Sequence, residues 1–599
     1  MKKYLAITTI GLAVLATYLP AVRNGFVWDD TALILRDPLI RSWRLAPEAF
    51  NHFLFVDATA SDFYRPLQRL TYTLDYAAFA FRPALYHLTS ILCQMAAAIA
   101  LLFFAEELLA TLGLTGSRGR WIALIAALVW TVHPVQNAAV IYVSGRADPL
   151  AATFGFLGCF LMLRSLRAER SASLLWAIGA ALAFLLSALS KETGLIFLVL
   201  ALVIFALQKK WSAFLKMTVA TVFVAAVYLS LRLAAEHDPA PTLTAPPPWM
   251  ARPITMARAI AEYTGLLVFP LNLHMERQLD ATSASVEQPS PAAWRELQTL
   301  LGLTLAAAFG WWIVRARKRD PTVFALLILT VVTYLPVSGV LALNASIAEH
   351  WLYLPSAFLF LAVAVYIFRF LEAHETRRLA FVGTSIALAS WTLFLSVRTF
   401  FHTFDWKDQR TFLARTIAHG GDSARMFINL GGLELSEGRL DLAKKHLNTA
   451  LKKEPGHPLA LINLANVAVK ENDFKQAREI LTRTTKLEPV NAQAHELLAI
   501  LEKKESGNTN LLRLRLATRT GAPNWGIEKR YITYLDQSGS RPAAIRELRA
   551  CLQNQWYRAD SWRLLSELLA KSGQEKEAAV ALAYAKTYDV HLGEHRSLF

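Results

Sequence analysis

Residues 4–30 read YLAITTIGLAVLATYLPAVRNGFVWDD, an apolar run over 4–22 that leads within a few residues to the acidic pair Asp29-Asp30. A helix of that length crosses a hydrocarbon core of roughly 30 Å. Lys2-Lys3 precede the run, and Tyr18-Leu19-Pro20 lack a small-residue cleavage pattern, so it reads as a retained signal anchor. Comparable runs recur at 84–104, 121–139, 149–166, 174–190, 193–208, 213–233, 297–314, 322–341, 353–371 and 379–398, and none follows. The chain has 599 residues, 54% hydrophobic and only 18% charged, with a mean hydropathy of +0.33. That balance excludes a soluble single-core protein.

Arginine and lysine beside the ends of spans stay cytoplasmic. The clusters are Lys2-Lys3, Arg118/Arg120, Arg164/Arg167/Arg170, Lys209-Lys210, Arg315/Arg317/Lys318/Arg319 and Arg377-Arg378. All six share one side of about eleven spans if the segment 256–275, ending Phe269-Pro270-Leu271-Asn272, does not cross. It is expected as a re-entrant or surface helix on the outer face, where protein or water shelters irregular backbone. The last span then exits outward. Much of the net charge of +16 lies in these loops, which argues against a nucleic-acid partner. Cys93 and Cys159 fall in spans and Cys551 beyond them, so no disulfide or cysteine metal site is expected. The proline-rich stretch 238–248 cannot be helical and is expected as an extended cover or a plain linker.

The last third repeats itself. Asn429-Leu430-Gly431 returns as Asn463-Leu464-Ala465, Ala443 as Ala477 and Pro455 as Pro489, each 34 residues on. That is the tetratricopeptide period, in which small residues let paired helices pack closely. The register continues through His495/Leu498/Ala499, Tyr531/Gly539/Ala544/Leu548 and Trp562/Leu565/Gly573/Ala578/Ala585. The expected fold class is therefore all-α. A polytopic transmembrane helix bundle occupies 1–400, with a long first outer loop over 23–83; a connector follows over 401–423, and then a tetratricopeptide-repeat α-solenoid of about five repeats, the third degenerate, over 424–599.

Chemistry-bearing residues collect at the expected outer edges: Trp28-Asp29-Asp30, Tyr64-Arg65-Pro66-Leu67, His133-Pro134, Ser144-Gly145-Arg146-Ala147-Asp148, Ser190-Lys191-Glu192 and Glu349-His350. Ionisable groups at a membrane boundary are costly unless used. Acids there can move a proton, and Arg65, Arg146 and Lys191 can hold a phosphate. Each residue also has a plainer reading. The acids fit an interfacial cap, His133 a helix end, Arg146 a pair with Asp148, and Lys191 a pair with Glu192.

The order of these motifs, followed by Glu349…Tyr353-Leu354-Pro355-Ser356, Asp405-Trp406-Lys407-Asp408 and the repeats, resembles the transmembrane and tetratricopeptide-repeat O-mannosyltransferases and their bacterial relatives. The resemblance covers nearly the whole chain. It implies a GT-C membrane glycosyltransferase fold, a polyprenyl phosphate-linked sugar as donor, and Ser/Thr hydroxyls of proteins as acceptors. It also implies an inverting transfer in which Asp29 is the base and Asp30 orients the acceptor or the loop. Arg65, Arg146 and Lys191 would meet the donor phosphate, with Asp148, Glu192, Glu349 and His350 in support. His350 stands where the family commonly has arginine, which removes an expected phosphate contact. No cluster of metal ligands stands out, although the GT-C class includes metal-dependent enzymes.

The repeats lack a catalytic cluster, so they are expected to present the acceptor while the membrane half alone holds the site. Two other classes fit parts of the pattern: a non-catalytic membrane scaffold with a docking array, and a lipid-linked-oligosaccharide transporter or polymerase. Loss of transfer in an inserted Asp29→Asn protein separates them from the enzyme. The compact chain favours a bacterial inner membrane with periplasmic repeats, the eukaryotic counterpart being an endoplasmic reticulum membrane with lumenal repeats.

Overall fold

The computed structural model describes residues 3–56, 62–167, 169–235, 252–277, 279, 292–340, 347–373, 378–507, 510–520 and 524–594. The expected cover at 238–248 lies outside them. Eight described helices are long and apolar enough to cross a membrane: Lys3–Arg23, Pro83–Thr111, Val143–Ser165, Ala172–Ser190, Trp211–Ala234, Trp294–Arg319, Glu349–Glu372 and Phe381–Trp406. A further pair, Gly116–Val132 and Pro134–Val140, is long and apolar enough only when taken together as one span, and it is bent by 59°. The bend falls at Pro134, whose missing N–H cannot continue the helical ladder. The expected spans at 193–208 and 322–341 correspond to shorter apolar helices, Glu192–Leu207 and Pro321–Val337. Leu174, Leu175, Val219, Phe223, Leu300 and Trp311 are exposed on these helices, an apolar rim of the kind that lipid covers.

The segment expected to be re-entrant forms helix Arg252–Val268 and an irregular stretch after it. This helix lies against the helix Ala292–Arg319 at Gly302, where a Cβ would come 1.8 Å from the Ala257 carbonyl oxygen. Only glycine permits that approach.

The two ends of the bundle differ in charge. One end carries the ion pairs Arg118–Glu372 and Arg167–Glu107, whose arginines come from the basic loops, and Arg369–Asp320, whose arginine comes from the end of a spanning helix. The other, the motif end, gathers the first loop, the bend at His133, the Ser144–Asp148 turn, Lys191-Glu192 and Glu349-His350. Described residues of the first loop are pinned there by a buried ion pair. Arg69 pairs with Asp37 at 3.0 Å, both buried, and donates to the carbonyls of His52, Phe53 and Leu54.

Among the described residues five helix pairs make the array: Ala424–Ser436 with Leu440–Lys453, Pro458–Lys470 with Phe474–Leu487, Ala492–Ser506 with Leu511–Arg519, Trp525–Gln537 with Arg541–Asn554, and Ala559–Lys571 with Glu575–Tyr588. Ala443, Ala477 and Ala544 are fully buried between paired helices, because a larger side chain would force them apart. The array does not project freely from the bundle. Its far end folds back on the first loop, where Tyr557 joins Leu39 and Leu45 in a small apolar core. Val590 donates its N–H to the Arg41 carbonyl at 3.2 Å, Ser42 its hydroxyl to the Thr587 carbonyl at 2.9 Å, and Tyr76 its hydroxyl to Asp589 at 2.7 Å.

Candidate functional site

The acidic motif is built around a strained residue. Trp28 adopts φ 54°, a left-handed backbone that a bulky side chain enters only when its surroundings hold it. Two contacts do so: Gln409 accepts the Trp28 N–H at 2.6 Å, and Arg425 lies 5.3 Å from its ring centroid. The turn separates the two acids. Asp30 is fully buried and accepts the Ser144 N–H at 2.8 Å, the Ser144 hydroxyl at 2.5 Å and the Val27 N–H at 3.1 Å. Ser144 reaches it because Gly145 lets the turn press on the neighbouring helix. A Cβ at Gly145 would stand 2.2 Å from the Ala138 carbonyl oxygen. Burial raises the Asp30 carboxyl to about 7 despite those donors.

Asp29 is only half-buried. Its N–H donates to the Tyr142 hydroxyl at 3.0 Å, and the same hydroxyl bonds its carboxylate. Burial raises the carboxyl above the ordinary aspartate range, while Tyr142, Arg425 and Arg65 pull it back. A carboxylate that is accessible, raised in pKa and flanked by cations has the properties of a general base.

Arg65 connects this acid to the remaining charges. Glu192 holds it from two directions, accepting the Arg65 Nε–H at 2.9 Å on one oxygen and the Tyr64 N–H at 2.9 Å on the other. Among the described residues the Arg65 Nη groups meet no acceptor, while the guanidinium rests over the Phe63 ring at 4.3 Å. Lys191 is buried and bonds Asp148 at 2.6 Å, leaving two of its three ammonium hydrogens free of that bond. The half-buried His350 ring lies within reach of the charges of Lys191, Asp148 and Arg65. Asp29, Arg65, Lys191, Asp148, Glu192 and His350 therefore share one region.

The neighbour pairings that the sequence invited do not form. Lys191 pairs with Asp148 and Glu192 with Arg65, because the backbone at Lys191 is extended and turns successive side chains apart. Arg146 does not bond Asp148 and does not join the group. It is fully buried, pairs with Asp75 at 2.6 Å and donates to Ser90, Thr71 and the Tyr86 carbonyl. Glu349 also turns elsewhere, accepting the His274 N–H at 2.7 Å and Arg277 at 3.0 Å. His133 sits at the helix break, bonded to the Leu267 carbonyl at 3.1 Å. No group of three or more His, Cys, Asp or Glu among the described residues is placed to hold a metal ion.

Sequence reasoning missed Asp75, Tyr142 and Arg425, each far along the chain from its partner. Tyr142, two residues before Ser144, carried the best available signal. Arg425, a repeat residue, touches Trp28 and its charge reaches Asp29, so the first repeat borders the acidic motif.

A tetratricopeptide-repeat family model matches residues 434–501. A protein O-mannosyl-transferase of Caenorhabditis elegans is 25% identical over 457 residues, covering 74% of this chain and 61% of its own length. The human protein O-mannosyl-transferase TMTC3 is 23% identical over 521 residues, covering 81% of this chain and 55% of its own length. The chain thus spans little more than half the length of such relatives. Among solved structures, a MamA protein is 15% identical and covers 29% of this chain and 97% of its own, with a TM-score of 0.23. YrrB, titled a TPR protein with an unusual peptide-binding site, is 18% identical over 31% of this chain and 94% of its own, with a TM-score of 0.22. Across 74% to 81% of its length, this chain is a relative, at 23% to 25% identity, of protein O-mannosyl-transferases from animals.

Proposed function

We propose that the chain is an inverting membrane glycosyltransferase that moves a mannose-type sugar from a polyprenyl phosphate donor to Ser/Thr hydroxyls of proteins. The motif end and the array would lie on the non-cytoplasmic side, the periplasm of a bacterium. The observation that carries this reading is the shared region of an accessible, pKa-raised carboxylate at Asp29 and two cations, Arg65 and Lys191, with unused donors. Transfer from an activated sugar phosphate needs those two kinds of group.

In the proposed step the acceptor oxygen attacks the anomeric carbon as its proton passes to Asp29. The bond from that carbon to the phosphate oxygen breaks, and polyprenyl phosphate leaves with the electron pair. Arg65 and Lys191 face the charge that grows on the phosphate, in a site where partial burial strengthens their effect. Glu192 and Asp148 aim those cations, and His350 borders the phosphate. Asp30, Arg146 and Glu349 act as structural anchors: Asp30 locks the acidic loop to Ser144, Arg146 ties together the helices that carry Asp75 and Ser90, and Glu349 holds the His274–Arg277 segment. No step is routed through a metal.

The test is transfer of labelled mannose from a polyprenyl phosphate donor to a Ser/Thr peptide by the protein in lipid nanodiscs. Asp29→Asn should lower the rate about a hundredfold to ten-thousandfold, the usual worth of a general base, with folding and insertion unchanged. Transfer undiminished in that variant removes the central residue of the proposal.

A further inference from the structure

The contacts identified between the array and the membrane half, among the described residues, sit at the array's two ends. At the first, Arg425 stacks on Trp28, and the connector leading into it adds Gln409, which accepts the Trp28 N–H, and Lys407, whose carbonyl accepts the Gly25 N–H at 2.8 Å. At the last, Thr587, Asp589 and Val590 bond Ser42, Tyr76 and Arg41, with Tyr557 seated on Leu39 and Leu45. Both ends therefore grip one loop, 23–83, on either side of Asp29 and its neighbours. The seat for the last repeat is firm, since Asp37–Arg69 and the three carbonyls bonded to Arg69 fix it from beneath.

We infer that the protein forms a closed ring, from the first loop through the bundle and the array and back to the loop, and that the acceptor is an extended polypeptide segment threaded through it. This rests on the transferase reading above. The acceptor hydroxyl must meet Asp29 where the loop and the first repeat join. A folded domain of about 100 residues is some 30 Å across, whereas a single extended strand with side chains is about 10 Å wide. The first two repeats offer chemistry suited to a bare backbone. Asn429 and Asn463 are half-buried at equivalent positions; Asn429 gives one amide hydrogen to the Arg425 carbonyl at 2.8 Å and keeps its other hydrogen and its oxygen, and the Asn463 amide nitrogen lies 3.4 Å from where a Cβ of Gly432 would stand, on the face that the two repeats share. Carboxamides can both donate to and accept from a peptide backbone.

The experiment compares two acceptors with the same Ser/Thr segment, one a linear peptide and one flanked at both ends by stably folded domains. The enzyme carries Ser42→Cys and Thr587→Cys, with Cys93, Cys159 and Cys551 replaced by alanine, and is joined by a short bis-maleimide. The joined enzyme should transfer labelled mannose to the linear peptide within about twofold of the unjoined one, and to the doubly capped acceptor about tenfold or more slowly, as gating of access predicts. A second variant, Ser42→Ala with Tyr76→Phe, loosens the seat and should speed transfer to the capped acceptor. Equal transfer to both acceptors by the joined enzyme overturns the inference, because the ring would exclude nothing. Loss of transfer to both also overturns it, since the docked repeat would then have to leave for any acceptor. Absence of transfer by the unjoined enzyme to either acceptor is a failure of the transferase reading itself, and is distinct from these.

Discussion

The Arg425 guanidinium stands over the Trp28 ring at 5.3 Å, so the first helix of the repeat array supports the residue immediately before Asp29. The same cation lowers the Asp29 carboxyl against the larger upward effect of burial. Arg425→Gln should therefore raise the Asp29 pKa further and move the acid limb of the rate profile to higher pH. A general base at Asp29, as proposed, works only when ionised, so rates should fall as pH drops through that limb in both proteins, and earlier in the variant. A pH profile of kcat/KM that is superimposable in the two would show that the array has no electrostatic hold on the site.

Two arginines from the same set of motifs should behave differently. Arg146 is sealed against Asp75, and breaking a buried pair from one side typically costs about 3–5 kcal/mol. Arg146→Ala should therefore lower the melting temperature of the membrane half clearly. The Arg65 Nη groups meet no acceptor among the described residues, so on the proposed role Arg65→Gln should leave melting nearly unchanged while weakening use of the donor, read as a rise in KM or a fall in kcat/KM. Equal thermal losses would assign both residues to structure.

Asp30 predicts a stability trend with pH. Its folded-state pKa, about 7, exceeds the ordinary 3.8. A raised carboxyl contributes stability that is complete below the unfolded value and is lost as pH climbs through the folded one. Melting temperatures should then decline between about pH 4 and 7 by a component that Asp30→Asn lacks. A variant with the same slope as the parent would place that titration elsewhere.

Tyr557 tests the docking of the last repeat independently of activity. Truncating a buried aromatic residue typically costs about 3–5 kcal/mol. Tyr557→Ala should open the seat, read as faster amide exchange over 39–45 and 587–592 with the first two repeats unchanged. Uniform exchange changes along the array would mean that the repeat itself had unfolded.

Much of the architecture was legible in the order of residues because its causes are local. An apolar run long enough to span lipid must be a helix, since lipid offers no partner for an open backbone, and this identified the bundle from 4–22 onward. A 34-residue recurrence of asparagine, leucine, alanine and proline likewise announced the array. The motif order brought Asp29, Arg65 and Lys191 into one list, and their shared end of the bundle followed from helix count and basic loops. Which of those charges face one another was not local. Arg146 and Lys191 each stand near an acid in sequence, yet Asp75 and Asp148 claim them, because the helical and extended backbones turn neighbours apart and buried charges must find partners wherever packing delivers them. Tertiary packing likewise set Arg425 on Trp28 and Asp589 on Tyr76, contacts spanning 397 and 513 residues. Sequence alone determined that this protein has a membrane half and a repeat half. Tertiary packing decided that the two halves meet, because Tyr557 buried with Leu39 and Leu45, and the bonds of Thr587, Asp589 and Val590 to the first loop, join residues hundreds of positions apart that no local pattern links.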